Sequence, residues 1–284
     1  MVREFKLLNE KNQYYSLMDI ENYCFLSEPS GLGYGYETEY EQLNNSFIIG
    51  IRKLEQGEIS GIANFKNYEN YKKLIDFIES SKELKIAYKV PYHNNVTEFF
   101  RDVQINQISK TEISQNGLIS EDISFNCLGL WYKDEVTQYD IGDLWETEMQ
   151  WDFMWDTRFG DYQTRIIDFE NDGQTEAPFK LEIDGIISNP SISIYVDDVI
   201  VNQITIPVEI GYGEKLQYSS VDNNLYLRKE NSNGTYTNLF KNQYVDLRNN
   251  NIFKIPKGKS TISVSSSDNI LAGKLDIYKQ YKAV

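Results

Sequence analysis

Residues 134–161 contain the side chains best suited to chemistry on a sugar. Four carboxylates stand there among three tryptophans: Glu146, Glu148, Asp152 and Asp156 with Trp145, Trp151 and Trp155. A glycosidase needs two carboxylates across a cleft, often beside aromatic faces that stack on the sugar. Because so acidic a chain offers many carboxylate pairs by composition alone, the spacing does not predict catalysis. We interpret the segment as an acidic surface whose tryptophans anchor a linker or a subunit contact, with non-catalytic sugar binding as an alternative.

Nucleophilic catalysis or zinc binding would have to use His93, Cys24 and Cys127. His93 is the single histidine, in the segment PYHNN at 91–95, and the two cysteines lie far apart. A catalytic triad needs a base beside its nucleophile, and structural zinc sites need several closely spaced His or Cys ligands. We therefore expect an exposed loop histidine, two reduced buried thiols, and neither catalytic nor metal-binding residues.

Two groups of acidic residues offer oxygen ligands for calcium. They are Asp197 with Asp198, and the spaced set Asp168, Glu170 and Asp172. Neither follows the spacing of an EF-hand loop, which requires a glycine and a distal glutamate. Asp and Asn also serve turns at strand ends, so turns are the preferred interpretation and no cofactor is expected.

A glycine cluster occurs in SEPSGLGYGYETEYE, where Gly31, Gly33 and Gly35 alternate with bulkier residues. A dinucleotide-binding fingerprint needs a further glycine and a strand-to-helix context. Here acidic residues follow, and they would repel phosphates. The cluster predicts a flexible or turning loop.

The net charge of −15 comes from 28 basic and 43 acidic residues. Nucleic acid binding requires clustered Lys and Arg that displace counterions from phosphates, and the sequence has no such stripe. Anionic membrane surfaces are disfavoured for the same reason. The start, MVREFKLLNEKNQ, has no apolar stretch of signal-peptide length, and no later stretch would span a bilayer. We expect neither a nucleic acid nor a membrane partner.

The aromatic content and the hydrophobic periodicity predict a mainly β protein in two domains. The chain has 21 Tyr and 14 Phe, residue types that favour strands. One amphipathic helix is predicted after Asn67, where Tyr71, Leu74, Ile75 and Ile78 fall on one face. Elsewhere residues alternate as short strands, among them 84–88, 123–132, 179–183, 199–210 and 252–255, with Asn233-Gly234 as a hairpin tip.

The predicted organisation has three parts. Residues 1–133 form an α+β domain with one helix on a sheet, and residues 134–161 form an acidic, Trp-rich linker. Residues 162–284 form a galectin-like or jelly-roll β-sandwich. We expect a fragment that starts near Tyr162 to fold alone.

The order of short motifs resembles the distal tail proteins of long-tailed phages of Gram-positive bacteria. The motifs of the first half are FKLLN (5–9), YSLMD (15–19), PSGLG (29–33), GIANF (61–65), LKIAY (84–88) and LGLWY (128–132). After the linker come FENDGQTEAPFKLEIDG (169–185) and NPSISI (189–194). The resemblance covers essentially the whole chain through the order of degenerate motifs.

The resemblance implies a structural protein of a phage or prophage that is not an enzyme. In that family the N-terminal domains form a six-copy ring and the C-terminal domains project outward. The ring joins the tail tube to the baseplate or adsorption apparatus. The expected location is the virion tail tip, with synthesis and assembly in the host cytoplasm. The expected partners are other copies of the chain, the tail tube protein and the baseplate proteins.

A different class of function also fits the sequence. The C-terminal sandwich would then belong to a carbohydrate-binding protein or adhesin that recognises bacterial cell-wall sugars. A ring component should self-associate without sugar, whereas a binding module should be monomeric and present an aromatic groove. If a ring forms, its self-association surface is expected within residues 1–132.

Overall fold

The computed structural model describes residues 3–19, 24–92, 95–113, 117–133, 137–140, 163–240, 251–266 and 270–284. The chain packs as two compact units. Unit 1 comprises Met1–Asp134 and Tyr281–Val284, and unit 2 comprises Glu135–Gln280.

This division differs in two places from the limits expected at 1–133, 134–161 and 162–284. A strand at Thr137–Asp140, within the expected linker, pairs with a strand of unit 2. The segment Tyr281–Val284, expected in the second domain, packs with unit 1. A fragment that begins near residue 162 would therefore lack one strand of unit 2. The expected limits stay a prediction.

The strands of the described residues are numbered in chain order. Those of the first part are β1 Glu4–Asn9, β2 Tyr14–Ser16, β3 Met18–Asp19, β4 Cys24–Ser30, β5 Tyr36–Leu43, β6 Ser46–Leu54, β7 Glu58–Phe65, β8 Leu84–Tyr92, β9 Asn95–Ile108, β10 Ile119–Cys127 and β11 Trp131–Lys133. Those that follow are β12 Thr137–Asp140, β13 Gln163–Asn171, β14 Phe179–Gly185, β15 Ile187–Ser188, β16 Ser191–Val196, β17 Val199–Thr205, β18 Glu209–Ile210, β19 Lys215–Ser219, β20 Tyr226–Glu230, β21 Tyr236–Asn238, β22 Gly258–Ser266, β23 Ile270–Ile277 and β24 Gln280–Tyr281.

The main sheet of unit 1 has the described order β2-β1-β8-β9-β10-β7-β4-β3, with β11 beside β9 and β24. Successive side chains of a strand point to opposite faces, so one face of each strand supplies the core. In β1 these are Phe5 and Leu7, and in β10 they are Ile123 and Phe125, all fully buried. The period-two pattern therefore builds this sheet as the sequence predicts.

The helix α1, Tyr68–Ser80, covers the core of unit 1. The side chain of Asn67 accepts a hydrogen bond from the backbone N–H of Asn70 at 2.9 Å, which caps the first turn. The buried residues of the helix are Tyr71, Leu74 and Ile78. The predicted helix, its apolar face and its N-cap are confirmed. No helix in the described residues has the length and apolarity needed to cross a membrane.

The strands β5 and β6 form an antiparallel hairpin that is a sheet of its own. It joins β4 to β7, and its tip is Asn44-Asn45, where Asn44 has a φ of 55°. No strand of the main sheet flanks this hairpin in the described part of the chain. The sequence-based interpretation placed only a turning loop at the start of this region.

Unit 2 is a β-sandwich. One sheet has the order β12-β23-β14-β19-β20-β21, and the other has the order β13-β22-β16-β17. A single apolar core receives side chains from both sheets, among them Leu181, Tyr218, Ile194 and Val264. The expected fold class, mainly β with one helix on a sheet and a second sandwich domain, is confirmed. The predicted hairpin tip at Asn233-Gly234 is confirmed as well, since it joins β20 to β21.

Two expected strands are divided in the structure. The strand expected from Ile123 to Tyr132 ends at Cys127 and resumes as β11. Cys127 pairs with Val103 and Tyr132 pairs with Phe100. Between these two pairs the chain has more residues on the side of β10 and β11 than along β9, so the extra residues form a loop between β10 and β11.

The strand expected over Val199–Ile210 divides into β17 and β18 around Pro207, which has no N–H to donate to a ladder. The expected strand over Ile252–Ile255 is reduced to a single bridge between Ala177 and Ile255.

Candidate interaction surface

The candidates for sugar chemistry lie outside the described residues. These are Glu146, Glu148, Asp152 and Asp156, with Trp145, Trp151 and Trp155. His93 also lies outside them. The fourth tryptophan, Trp131, is fully buried in the core of unit 1, beside Tyr88 at 6.2 Å between ring centroids. The interpretation of the acidic segment therefore stays a prediction.

Cys24 and Cys127 are free and buried. Burial raises the pKa of the Cys24 thiol to about 11. Burial likewise raises the pKa of Cys127. A thiolate is the reactive form of cysteine, so both side chains are apolar core residues at neutral pH.

The acidic residues considered for calcium serve as turn and surface groups. Asp197 and Asp198 have φ values of 50° and 62° and form the turn between β16 and β17. Asp168 accepts a hydrogen bond from the Thr261 hydroxyl at 2.8 Å, and Asp172 forms an ion pair with Lys279 at 2.6 Å. Among the described residues, no group of three His, Cys, Asp or Glu side chains is placed to hold a metal ion.

The glycine cluster includes one position that requires glycine. Gly31 has a φ of 81°, and a β-carbon there would overlap the carbonyl oxygen of Glu58. Gly31 thus lets the chain pass close to the first residue of β7. By contrast, a β-carbon at Gly33 would meet no heavy atom within 4 Å in the described structure.

The most prominent exposed apolar surface of unit 1 is one face of the β5–β6 hairpin. Phe47 and Ile49 lie on the same side of β6, since they alternate along the strand. The register shift after Ile49 brings Arg52 to that side, opposite Thr38, and Ile51 to the other side. Tyr40 joins them because it stands directly opposite Ile49 in the register. The exposed fractions are 63% for Tyr40, 69% for Phe47 and 60% for Ile49. We call these three residues the hairpin face.

The hairpin face has the properties of a contact surface. A two-stranded ribbon is marginally stable by itself, and contiguous exposed apolar side chains mark interaction sites. At the end of the hairpin nearest the main sheet, Glu37 stands opposite Lys53, so the ribbon has balanced charge there. A partner would therefore meet an apolar surface in a protein that is otherwise strongly acidic.

Sequence reasoning missed this hairpin, although signals for it exist. Asn44-Asn45 separates two stretches of strand-forming residues, and Asn readily adopts the left-handed conformation that tight hairpins need. The alternation of Phe47 and Ile49 predicts one apolar side. Periodicity cannot show that no other element covers that side.

Comparison with known proteins finds a family match within unit 1. Residues 4–128, which contain the sheet, the helix and the hairpin, match the family model described as the distal tail protein N-terminal domain. The distal tail proteins of Lactococcus phages SK1 and p2 are each 27% identical to the chain over 146 residues. The match spans about half, 49%, of this chain and of each curated relative.

Solved structures share the fold of the whole chain. A chain of the phage P2 baseplate in its activated conformation has a TM-score of 0.62 at 16% identity and is covered over 100% of both chains. The Dit protein of phage SPP1, described as a hub of adsorption apparatus, has a TM-score of 0.61 at 10% identity, covering 97% of this chain and 98% of that one. At these identities the similarity shows the fold.

The matched proteins belong to one class, the structural proteins of the bacteriophage tail and its baseplate, and the chain resembles them in fold over its whole length. Within that class, residues 4–128 match the distal tail protein N-terminal domain. The resemblance stated from the order of the sequence motifs is confirmed.

Proposed function

We propose that copies of the chain assemble through unit 1 into a ring of six at the tail tip. The ring joins the tail tube to the baseplate or adsorption apparatus of a phage or prophage whose host is Gram-positive. The hairpin face is the observation that carries this proposal. The chain has a structural role, catalyses no reaction, binds neither nucleic acid nor membrane, and is made and assembled in the host cytoplasm.

A ring places different demands on its two contact surfaces. Head-to-tail contacts join unlike patches, so each copy must present one patch and receive another. A projecting hairpin suits this arrangement, because it can reach the next copy while its own unit receives the hairpin of the previous one.

The free energy gained by burying the hairpin face does not by itself hold two copies together, so the interface needs further buried area. Fully burying an apolar side chain contributes about 1.5–3 kcal/mol, and the three residues are roughly two-thirds exposed, which leaves about 3–6 kcal/mol to gain. Association itself costs about 4–15 kcal/mol. The hairpin face therefore supplies the centre of an interface whose rim must come from other parts of unit 1.

Charge makes assembly dependent on salt. Copies that each carry a net charge of −15 repel one another. Salt near 0.1 M screens this repulsion beyond about 10 Å, while the burial of apolar side chains is not weakened. Added salt should therefore favour the ring.

The test is sedimentation velocity and negative-stain imaging of the full chain at low and high salt. A Phe47→Ser/Ile49→Ser variant should raise the dissociation constant of the ring at least about tenfold, the effect of roughly 1.4 kcal/mol. The matched control is Ile113→Ser/Ile166→Ser, at positions that are 60% and 65% exposed. The control should assemble like the wild type. A wild-type chain that stays monomeric at every salt and concentration would refute the proposal, and so would a ring that tolerates the hairpin variant.

A second candidate function, sugar binding by unit 2, has one structural observation in its favour. On the larger sheet, the Arg228 guanidinium lies 4.2 Å from the Tyr226 ring centroid and 3.9 Å from that of Tyr236. Arg228 also donates to the Gln217 side chain at 2.8 Å. Rings, amides and guanidinium groups of this kind can orient a polar ligand.

Binding of the full chain to purified Gram-positive cell walls tests this candidate. Binding that Tyr236→Ala abolishes would support it, and undetectable binding would refute it. The same samples should release no reducing sugar, because the chain has a structural role. Sugar release that depends on Glu146, Glu148, Asp152 or Asp156 would contradict that role.

A further inference from the structure

We infer that the C-terminal segment Tyr281–Val284 fixes the orientation of the β5–β6 hairpin, with Lys282 as its positioning residue. This inference rests on the proposed function, in which the hairpin is the docking element. The structural basis is a contact between the last residues of the chain and the first residue of β5.

Lys282 binds Tyr36, where the hairpin begins. Its Nζ atom donates a hydrogen bond to the Tyr36 hydroxyl at 2.8 Å and lies 5.5 Å from the centroid of the Tyr36 ring. The same ammonium lies 5.8 Å from the Tyr34 ring. Tyr34 and Tyr36 meet edge to face, with ring centroids 5.5 Å apart. One cation therefore contacts two adjacent aromatic residues just where the chain enters the hairpin.

The opposite strand of the hairpin belongs to the same cluster. The Arg52 guanidinium in β6 lies 3.8 Å from the centroid of the Tyr36 ring. Tyr36 pairs with Leu54 across the hairpin, and the Glu55 N–H donates to the Gly35 carbonyl at 3.1 Å. Tyr36 thus contacts both strands at the base of the hairpin, so a contact that fixes this side chain restrains the whole ribbon.

The segment that carries Lys282 is itself anchored on unit 1. Its strand β24 pairs with β11 of the main sheet. The Tyr281 ring packs edge to face on Phe99 with centroids 5.3 Å apart, and Lys133 Nζ lies 5.2 Å from the Tyr281 ring. Val284 packs against the core cluster of unit 1. Lys282 therefore lies between Tyr281 and Val284, which both pack on unit 1, and its contact with Tyr36 holds the base of the hairpin relative to them.

The physical consequence is preorganisation. A ribbon that no strand of the main sheet flanks, within the described residues, can sample several orientations unless its base is held. Ordering it during assembly would weaken the ring, whereas a hairpin already held in one orientation avoids that cost. The hydrogen bond from Lys282 also lowers the pKa of Tyr36, as expected for a phenol that accepts from an ammonium group.

The experiment measures the hairpin and the ring separately in the full-length protein. Hydrogen–deuterium exchange of residues 36–54 is recorded at a concentration where the protein is monomeric, and sedimentation reports the ring. The variants are Lys282→Met, Tyr36→Phe and the double variant. Lys282→Arg keeps the charge and the donor, and Lys72→Met is a control for the loss of an exposed lysine on α1.

Lys282→Met and Tyr36→Phe should each accelerate hairpin exchange and raise the ring dissociation constant by roughly 3- to 10-fold, the net effect of one hydrogen bond. The double variant should behave like Lys282→Met, because Tyr36→Phe removes only the hydrogen bond that Lys282→Met also removes. Lys282→Arg should keep the slow hairpin exchange of the wild type, and Lys72→Met should change neither hairpin exchange nor assembly.

Hairpin exchange that is unchanged in Lys282→Met, or single effects that add in the double variant, would overturn the inference. These outcomes differ from failure of the proposed function. If the wild type never assembles, the exchange of the monomeric hairpin still decides whether Lys282 positions it. If the ring forms and Lys282→Met leaves hairpin exchange and assembly unchanged, the positioning role is wrong and the ring stands.

Discussion

Replacing Gly31 by alanine should destabilise unit 1 selectively. Gly31 has a φ of 81°, a left-handed conformation that costs an L-residue about 1–2 kcal/mol. The new β-carbon would overlap the Glu58 carbonyl oxygen and lie 2.8 Å from its carbonyl carbon and 3.1 Å from the Ile59 Cα. These are backbone atoms at the start of β7, so no side-chain rotation relieves the contact.

The expected loss of stability follows from these two effects. Forcing an extra methyl group into a packed site costs about 1–3 kcal/mol, which with the backbone strain makes about 2–5 kcal/mol for Gly31→Ala. Gly33→Ala is the matched control in the same loop, since its β-carbon would meet no heavy atom within 4 Å in the described structure. We expect the control to change stability by less than about 0.5 kcal/mol.

Native-state hydrogen exchange can assign the loss to one unit. The slowest amides of β7 and β10 report the opening of unit 1, and those of β14 and β22 report unit 2. In Gly31→Ala the unit 1 amides should exchange at least about 30-fold faster, the equivalent of roughly 2 kcal/mol, while unit 2 stays unchanged. Equal exchange in Gly31→Ala and Gly33→Ala would refute the reasoning, because it would mean that β7 moves aside freely.

Three further predictions concern unit 1. Asn67→Ala should lower its stability by about 1 kcal/mol in urea unfolding, while Asn67→Asp, which keeps the capping oxygen, should not. Arg101 is 3% exposed, and its Nη1 has no hydrogen-bond partner in the described structure. Arg101→Met should therefore change the free energy of unfolding by less than about 1 kcal/mol, even though the hydrogen bond to the Gly129 carbonyl is lost. A loss above about 3 kcal/mol would show instead that neighbouring groups stabilise the buried guanidinium. Burial raises the pKa of Cys24 to about 11, so its thiol should resist Ellman's reagent at about pH 8 until the protein unfolds. The reaction should become faster as the pH approaches 11. Rapid reaction of the native protein at about pH 8 would contradict the burial of Cys24.

Local patterns determined much of the secondary structure. The helix could be predicted because its apolar residues recur every three to four positions and Asn67 can cap it, both of which are local properties. Alternation identified strands such as β8 and β14 for the same reason. The order of the short motifs indicated the distal tail proteins, because it reflects the whole path of the chain rather than any single site.

Tertiary structure decided which of these elements meet. Alternation shows that Phe47 and Ile49 share one side of a strand, but only the sheet order shows that this side is uncovered. Likewise, no local signal separates Lys282 from the strands of unit 2 that precede it, although the structure places it on Tyr36 in unit 1. A sequence pattern records which face of an element is apolar, whereas the partner of that face depends on contacts between residues far apart in the chain. The hairpin face and the C-terminal contact are both of this second kind.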